Sequence, residues 1–406
     1  MQYTTLDALM RAANCEKYPA RWETYFEETM RDFDENGCPL TDPAYYDRLR
    51  AEYGVLVTYP EVYREAALAV GRNEALSRLL HLLVRVLADR ETVFEDLKQF
   101  SAPASPNGTH DIAYDMLTGL AICSLVPYSY ALLKRRGLPE DIILDTIRTP
   151  EKGIPEYRKR NGGADGFHLL EWFQRSVEGR IFRIKRLEIE MTTFKSRAAV
   201  FQNKQGDTVA LVDGLMLHRD GFALGSKHFE DEAGAFLGEL TETDRDFCGY
   251  PYLENGYVSP TRITLNKSEW TRVLSVGDPV ISLHIPADGS LAPEKVDETL
   301  EQTRAFFKQY YPDFKYKAFY CGSWLLDPQL EEMLGAQSNI AKFGRRFSRL
   351  TARSGGNAVF GFVFLKPNPA EVILDELPEN TRLERAIKAH YKSGKAIYEL
   401  QGYFFG

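Results

Sequence analysis

A histidine at the end of an apolar run, followed by a turn and an amphipathic stretch, is the first arrangement in this sequence suited to chemistry. Val280 to Ile285 reads as a short strand, and Pro286 closes it. Asp288 and Gly289 then mark a turn within Pro286–Ala292, and a helix is predicted from Pro293 to Tyr310. A strand–turn–helix unit presents backbone N–H groups at a helix N-terminus, where an anion such as a phosphate is held. Ile285, Asp288, Gly289 and Ser290 are the positions that would meet it. His284 is the residue type best placed to move a proton near neutral pH, or alternatively to brace the loop through a backbone group.

Other candidates surround this unit. Lys342, Arg345, Arg346 and Arg349 are spaced as one face of a predicted helix over Asn339–Leu350, opposite Ile340, Phe343, Phe347 and Leu350. That face is either solvated or a cationic wall for the phosphates of a ligand. Cys321 ends a predicted strand, Lys317–Cys321, and nothing in its local sequence would activate the thiol, so a structural role is expected. Glu188 and Glu190 share a strand face, as acid–base carboxylates do, but alternation produces such pairs on any strand. There is no P-loop, G-x-G-x-x-G, H-E-x-x-H or G-x-S-x-G.

The elements that must position these residues change character along the chain. Leu76, Leu79, Leu80, Leu83, Val84 and Leu87 form a helical stripe. Helices are also expected around Trp22–Phe33, Tyr45–Tyr53, Pro60–Val70, Pro139–Ile147 and Phe167–Val177. After Gly179 strands dominate. In Ile181–Met191 the apolar residues switch parity, which predicts a bulge or twist near Lys185–Arg186. Asn203-Lys-Gln-Gly206 reads as a hairpin turn. Towards the end come helices over Pro328–Leu334 and Leu383–Tyr391, and strands over Ala358–Leu365 and Ala396–Phe405.

A chain of 406 residues is too long for one ordinary core. Its composition, 44% hydrophobic and 27% charged, supports a substantial interior. The net charge of −8 argues against general nucleic-acid binding. The five cysteines form no C-x-x-C pair, so neither a disulfide framework nor a zinc site is expected, and a reducing, cytoplasmic setting is. No signal peptide is read at the N-terminus. Met116–Leu133 is uncharged and long enough to cross a membrane, but its Thr, Ser, Gly, Pro and Tyr content points to a buried helix bent near Pro127. Neither a nucleic-acid nor a membrane partner is expected.

The stretches HIPADGSL (284–291), CGSWLLDPQL (321–330), SNIAKF (338–343), FGFVF (360–364) and LQGYFF (400–405) resemble, in this order, a bacterial family of two-domain acyltransferase proteins. SLVPYSYALLKRRGLPEDII (124–143) and FHLLEWFQRSVEGRIFRIKRLEIE (167–190) extend the resemblance over most of the chain. It implies an α+β protein: an all-helical N-acyltransferase N-terminal domain, residues 1–160, then a GNAT-like α/β domain with a central mixed sheet, residues 161–406. In the GNAT superfamily acyl-CoA wedges between two diverging strands, here Val280–Ile285 and Lys317–Cys321. A loop, here Pro286–Ala292, holds its pyrophosphate. The resemblance therefore implies acyl-CoA as co-substrate, no metal, and a small-molecule acceptor.

Residue roles follow from that likeness. Asn339 could fill the place of an asparagine in the superfamily's helix; Arg345 and Arg346 would meet phosphates if the basic face described above serves the ligand. His284 is the first choice for proton transfer, with Tyr320 and Cys321 as candidates to protonate the departing thiolate. The loop departs from the superfamily pattern in keeping one glycine, Gly289, and Phe343 and Phe347 stand where a tyrosine is usual. Two functions are thus expected: N-acyl transfer from acyl-CoA to an amine, or non-catalytic binding of a CoA ester or another small ligand.

Overall fold

Asn73 starts the central helix of the first half by accepting the backbone N–H of Leu76 at 3.1 Å, satisfying one orphan donor of the first turn. The helix runs Glu74–Ala88, and its Leu76, Leu79, Leu80, Leu83 and Leu87 are fully buried. It packs against Glu23–Asn36 and Leu117–Cys123. Each such leucine contributes about 1.5–3 kcal/mol by leaving water. The computed structural model describes residues 3–89, 93–168, 170–366 and 368–406. The chain parts into two compact units, Met1–Arg183 and Ile184–Gly406. Among the described residues of the first unit up to residue 180, every regular element is helical.

The apolar segment around Met116–Leu133 is a set of core helices. Ile112–Asp115, Leu117–Cys123 and Val126–Arg135 follow one another, with a break at Ser124–Leu125, and Pro127 lies in the first turn of the third. The stretch Ile112–Arg135 is long and apolar enough to cross a membrane, but most of it is buried inside the protein. Ser129 anchors it by donating to the Val177 carbonyl. The last helix of the unit is Leu170–Val177; Leu169, inside the expected Phe167–Val177, is outside the described residues.

The bulge or twist expected near Lys185–Arg186 takes the form of a turn. It separates Ile181–Ile184 from Leu187–Thr193, and Lys185 takes a left-handed φ of 49°. A turn explains the parity change more simply than a bulge, because each strand restarts its own alternation.

The second unit is built on a mixed sheet. The sheet has six strands: Ile181–Ile184 at one edge, then β1 (Leu187–Thr193), β2 (Pro279–His284), β3 (Ala318–Ser323), β4 (Ser348–Leu350) and β5 (Leu400–Phe404), in spatial order Ile181–Ile184, β1, β2, β3, β5, β4. Among the pairings of β1 to β5, β2 and β3 run parallel and the others antiparallel; the helix α1 (Pro293–Tyr310) makes the crossover between β2 and β3. Val296, Leu300, Phe306 and Phe307 are the buried face of α1. On the other sheet face, Val280, Ala318, Tyr320 and Tyr403 pack with Phe194, Val200 and Leu274.

Phe194, Val200 and Leu274 belong to a long excursion between β1 and β2. It carries the hairpin Ala198–Asn203/Thr208–Val212, whose turn is held by Asn203 Oδ1 accepting from the N–H groups of Gln205 (3.0 Å) and Asp207 (2.8 Å). The excursion is tied at its base. Phe194 N–H donates to the Asp278 carbonyl at 2.8 Å, and Gly277 N–H to the Phe194 carbonyl at 2.9 Å.

Two expected elements are corrected. The helix predicted over Asn339–Leu350 stops at Gly344, giving α2 (Asn339–Gly344), and the chain then joins the sheet as β4. Ser348 and Leu350 pair with Tyr403 and Gln401, so sheet pairing with a distant strand overrides the local helical pattern. Conversely, Ala358–Leu365 is not a strand: Ala358–Phe362 is helical, with Val359 and Phe360 buried beside Ile387 and Leu330.

Candidate functional site

Parallel pairing between β2 and β3 ends at Ser282 opposite Tyr320. Beyond that point β2 stays paired with β1 through His284, and β3 stays paired with β5 through Ser323. Each strand is held by its outer neighbour while the inner ladder stops, so the sheet opens between Leu283–His284 and Cys321–Ser323. Extending the register sets His284 across the mouth from Gly322. A Cβ on Gly322 would meet nothing within 4 Å, so the space next to the histidine is open.

Strand alternation sorts the candidates by face. Glu188, Glu190, Ser282, His284 and Tyr320 fall on one face, as their cross-strand partnerships show: His284 opposite Glu188, and Ser282 opposite both Glu190 and Tyr320. His284 Nε2 lies 2.9 Å from Glu190 Oε2, with side chains 26% and 10% exposed. A neutral imidazole that donates Nε2–H to this carboxylate has its lone pair at Nδ1.

Tyr320 shares this face but is buried against Phe194, ring centres 5.6 Å apart, and burial raises its pKa. Cys321 projects to the opposite face. It is fully buried there, and burial pushes its thiol up to about 12. The fold therefore brings Tyr320, not Cys321, to the side of His284.

The loop after β2 is shaped by a residue that sequence reasoning passed over. Arg186 Nη2 donates to the Gly289 carbonyl at 2.7 Å, its Nε to the Ser290 carbonyl at 2.9 Å, and Nη1 stands 3.7 Å from Asp288. Its backbone N–H is held by Thr299 Oγ1 on α1 at 3.2 Å. The loop carbonyls are thereby turned onto a guanidinium. Gly289 has no left-handed φ, and a Cβ there would sit 3.5 Å from Arg186 Nε, an ordinary contact. The only sequence signal for Arg186 was the parity break beside it. Ile285 lies just past the strand end, and α1 begins at Pro293 with no side-chain cap and with Glu294 in its first turn.

Asn339 Nδ2 donates to Ser290 Oγ at 3.0 Å, joining the start of α2 to the loop. The cationic face does not form, because the helix ends before its arginines are reached. Arg346 Nη1 reaches Asp297 on α1 at 2.6 Å. Arg345 turns the other way, 3.4 Å from Glu331 and bonded to the Ala336 carbonyl. Arg349 donates to the Leu326 carbonyl at 2.8 Å. Arg346 and Arg304 line an open groove of about 570 Å³ along α1, with Asp297, Glu301 and Phe404. All five cysteines are free, and among the described residues no three of His, Cys, Asp or Glu gather as metal ligands do.

Comparison with known proteins adds three findings. The profile of the GNAT-like C-terminal domain matches residues 181–404, and that of the N-acyltransferase N-terminal domain matches residues 56–179. Similar solved structures include an acyltransferase in complex with CoA and 10C-teicoplanin, 20% identical with a TM-score of 0.64, covering 98% of each chain. A second is an acyltransferase in complex with decanoyl-CoA, also 20% identical with a TM-score of 0.64 and 98% coverage of both chains. A third, an acyltransferase in complex with decanoyl-CoA and teicoplanin, is 21% identical over the same coverage, with a TM-score of 0.62. At this identity the likeness establishes the fold. No curated protein matches in sequence.

Proposed function

The chain belongs to the GNAT-like C-terminal domain family, preceded by an N-acyltransferase N-terminal domain, and on that premise we propose that it is an acyl-CoA-dependent N-acyltransferase acting on an amine. The observation that carries this reading is the opened β2–β3 pair with the His284–Glu190 dyad at its mouth. A thioester arm laid in the opening would bring its carbonyl beside the backbone that β2 bares, and its sulfur towards β3.

The chemistry then proceeds in order. A lysine-like amine has a pKa of about 10.4 and arrives protonated. His284 Nδ1 takes one proton, and Glu190 steadies the imidazolium. The freed amine attacks the thioester carbonyl, whose oxygen becomes an oxyanion that a strand N–H can hold. Collapse breaks the C–S bond and releases the thiolate, and the amide forms as the nitrogen sheds its second proton, which restores the proton that the thiolate takes from its donor. The thiolate takes a proton from Tyr320, whose raised pKa keeps it protonated, or from the imidazolium. The similar acyltransferases solved with CoA or decanoyl-CoA support acyl-CoA as the donor.

A second reading, binding of a CoA ester without turnover, draws on the buried Phe343 and Phe347 where a tyrosine is usual, and on the single loop glycine. Thiol release from acetyl-, octanoyl- and decanoyl-CoA with a panel of primary amines decides between them. Turnover that falls by about 10²–10⁴ in His284→Ala is expected for a general base. Tight CoA binding with no thiol release from any pair would establish the second reading.

A further inference from the structure

The helical unit contains a pocket of about 460 Å³, within the size range of small-molecule sites, made wholly from its own residues. Phe100, Phe167 and Trp172 give it apolar walls; Asp115, Tyr157, His168 and Glu171 are its polar groups. No lysine or arginine is among the described residues lining it. Arg175 stands behind the wall, bonding Glu171 Oε1 at 3.3 Å.

The acid and the imidazole share one end. The Tyr157 ring centre is 6.2 Å from that of His168, and the tyrosine hydroxyl bonds the Asp115 carboxylate. Asp115 also accepts from the Asp111 N–H and lies 3.1 Å from His110 Nδ1, with no lysine or arginine paired to it among the described residues. His168 is the anomaly. Both ring nitrogens are buried with no hydrogen-bond partner among the described residues, the nearest carboxylate being Glu156 Oε2 at 3.7 Å. A buried polar atom left without a partner costs about 1–3 kcal/mol. Burial and the nearby Arg160 lower the His168 pKa to about 4, so at neutral pH the ring offers one donor and one acceptor.

We propose that this pocket binds a small amine with an apolar body, its ammonium received at the Asp115–His168 end and its body against Phe100, Phe167 and Trp172. The Asp115 and Glu171 carboxylates answer an ammonium's N–H groups, and the His168 ring, whose nitrogens are themselves closed to solvent, walls the space beside them. The same carboxylates repel a fatty acid, and the aromatic walls leave a strongly hydrated polar amine without gain. The binding does not rest on the acyl-transfer reading.

The test is calorimetric titration of the full chain without acyl-CoA, so that absence of turnover has no bearing on it. Octylamine and tryptamine are expected to bind, and octanoate at least tenfold more weakly. Ala102→Trp, at the exposed rim, should abolish amine binding with an unchanged melting temperature and circular dichroism. Glu171→Gln should weaken octylamine severalfold and leave 1-octanol unaffected, and the His168 ring resonances should move on octylamine addition. Octanoate binding as tightly as octylamine would make the pocket an acyl-chain seat and overturn the proposal. So would amine binding that survives Ala102→Trp, or no amine binding at all.

Discussion

His284 and Glu190 are joined on the diagonal: the imidazole Nε2 stands 2.9 Å from the Glu190 carboxylate, although the residue directly opposite His284 is Glu188. The diagonal matters because Glu190 sits one step deeper, opposite Ser282, where the parallel ladder ends. The histidine is thus leaned towards the root of the opening. Glu190→Gln keeps a side chain able to accept from Nε2–H but removes the charge that steadies an imidazolium. It is expected to lower kcat about 10–100-fold, less than His284→Ala, with KM for acyl-CoA within a factor of about two. Steady-state kinetics on both variants checks this; a raised KM at unchanged kcat would mark the pair as scaffold.

Arg186 fixes the loop by two bonds to carbonyls, so its loss should act through binding. Hydrogen bonds to a charged group are worth about 1.5–3 kcal/mol each, and Arg186→Met should lower stability by about 2–5 kcal/mol and raise KM for acyl-CoA. Arg186→Lys should rescue little, because one ammonium cannot reproduce the planar fork that reaches Gly289 and Ser290 together. Denaturant unfolding with KM measurements separates the two effects.

Asp297 competes for Arg346. The pair is partly exposed, the aspartate side chain 60% and the arginine 25%, so it adds no more than about 1 kcal/mol to stability. Asp297→Asn should therefore leave the melting temperature nearly unchanged, yet tighten CoA severalfold at low salt by freeing the guanidinium for a phosphate. Arg346→Ala should weaken CoA about tenfold. Calorimetry at two salt concentrations reads both, and equal CoA affinity in the two variants would remove Arg346 from the phosphate path.

Gly322 has open space where a side chain would stand. Gly322→Val should fold normally and lose acyl-CoA binding, since the branched side chain fills the mouth beside His284. Thermal unfolding with a CoA titration tests this, and undiminished binding would place the acyl arm elsewhere.

Asp327 gives the second unit a pH signature. It is buried, accepts the Tyr398 N–H at 2.7 Å, and burial raises its pKa from 3.8 to about 6. The folded state thus holds this proton more tightly than the unfolded chain. Its contribution to stability is full below about pH 4 and is lost as pH rises towards 6. Asp327→Asn should remove that slope, seen as a difference from wild type that grows between pH 4 and 6 in denaturant unfolding.

Local patterns were legible in the sequence and register was not. The Leu76–Leu87 stripe and the β2–turn–α1 unit are short-range periodicities, and both are present in the structure as read. The Lys342, Arg345, Arg346 and Arg349 spacing misled because β4 pairs with Tyr403 and Gln401, about fifty residues further on, and no local signal marks that partnership. The face shared by His284, Glu190 and Tyr320, and the opposite face of Cys321, depend on alignments among three separated strands. Arg186 was missed for the same reason: its work is done on a loop more than a hundred residues away.

The tie between Phe194 and Asp278 has a consequence for how freely this scaffold varies. Because paired backbone bonds close the excursion at its base, β1 and β2 remain aligned whatever the excursion contains. The entropy of closing such a ring grows only logarithmically, so doubling its length costs about 0.6 kcal/mol. New sequence inserted at the exposed tip of its hairpin, between Lys204 and Gln205, enlarges the ring without shifting the strand that carries His284. The molecule can change the size of this lobe and keep the alignment of its proposed proton-transfer dyad.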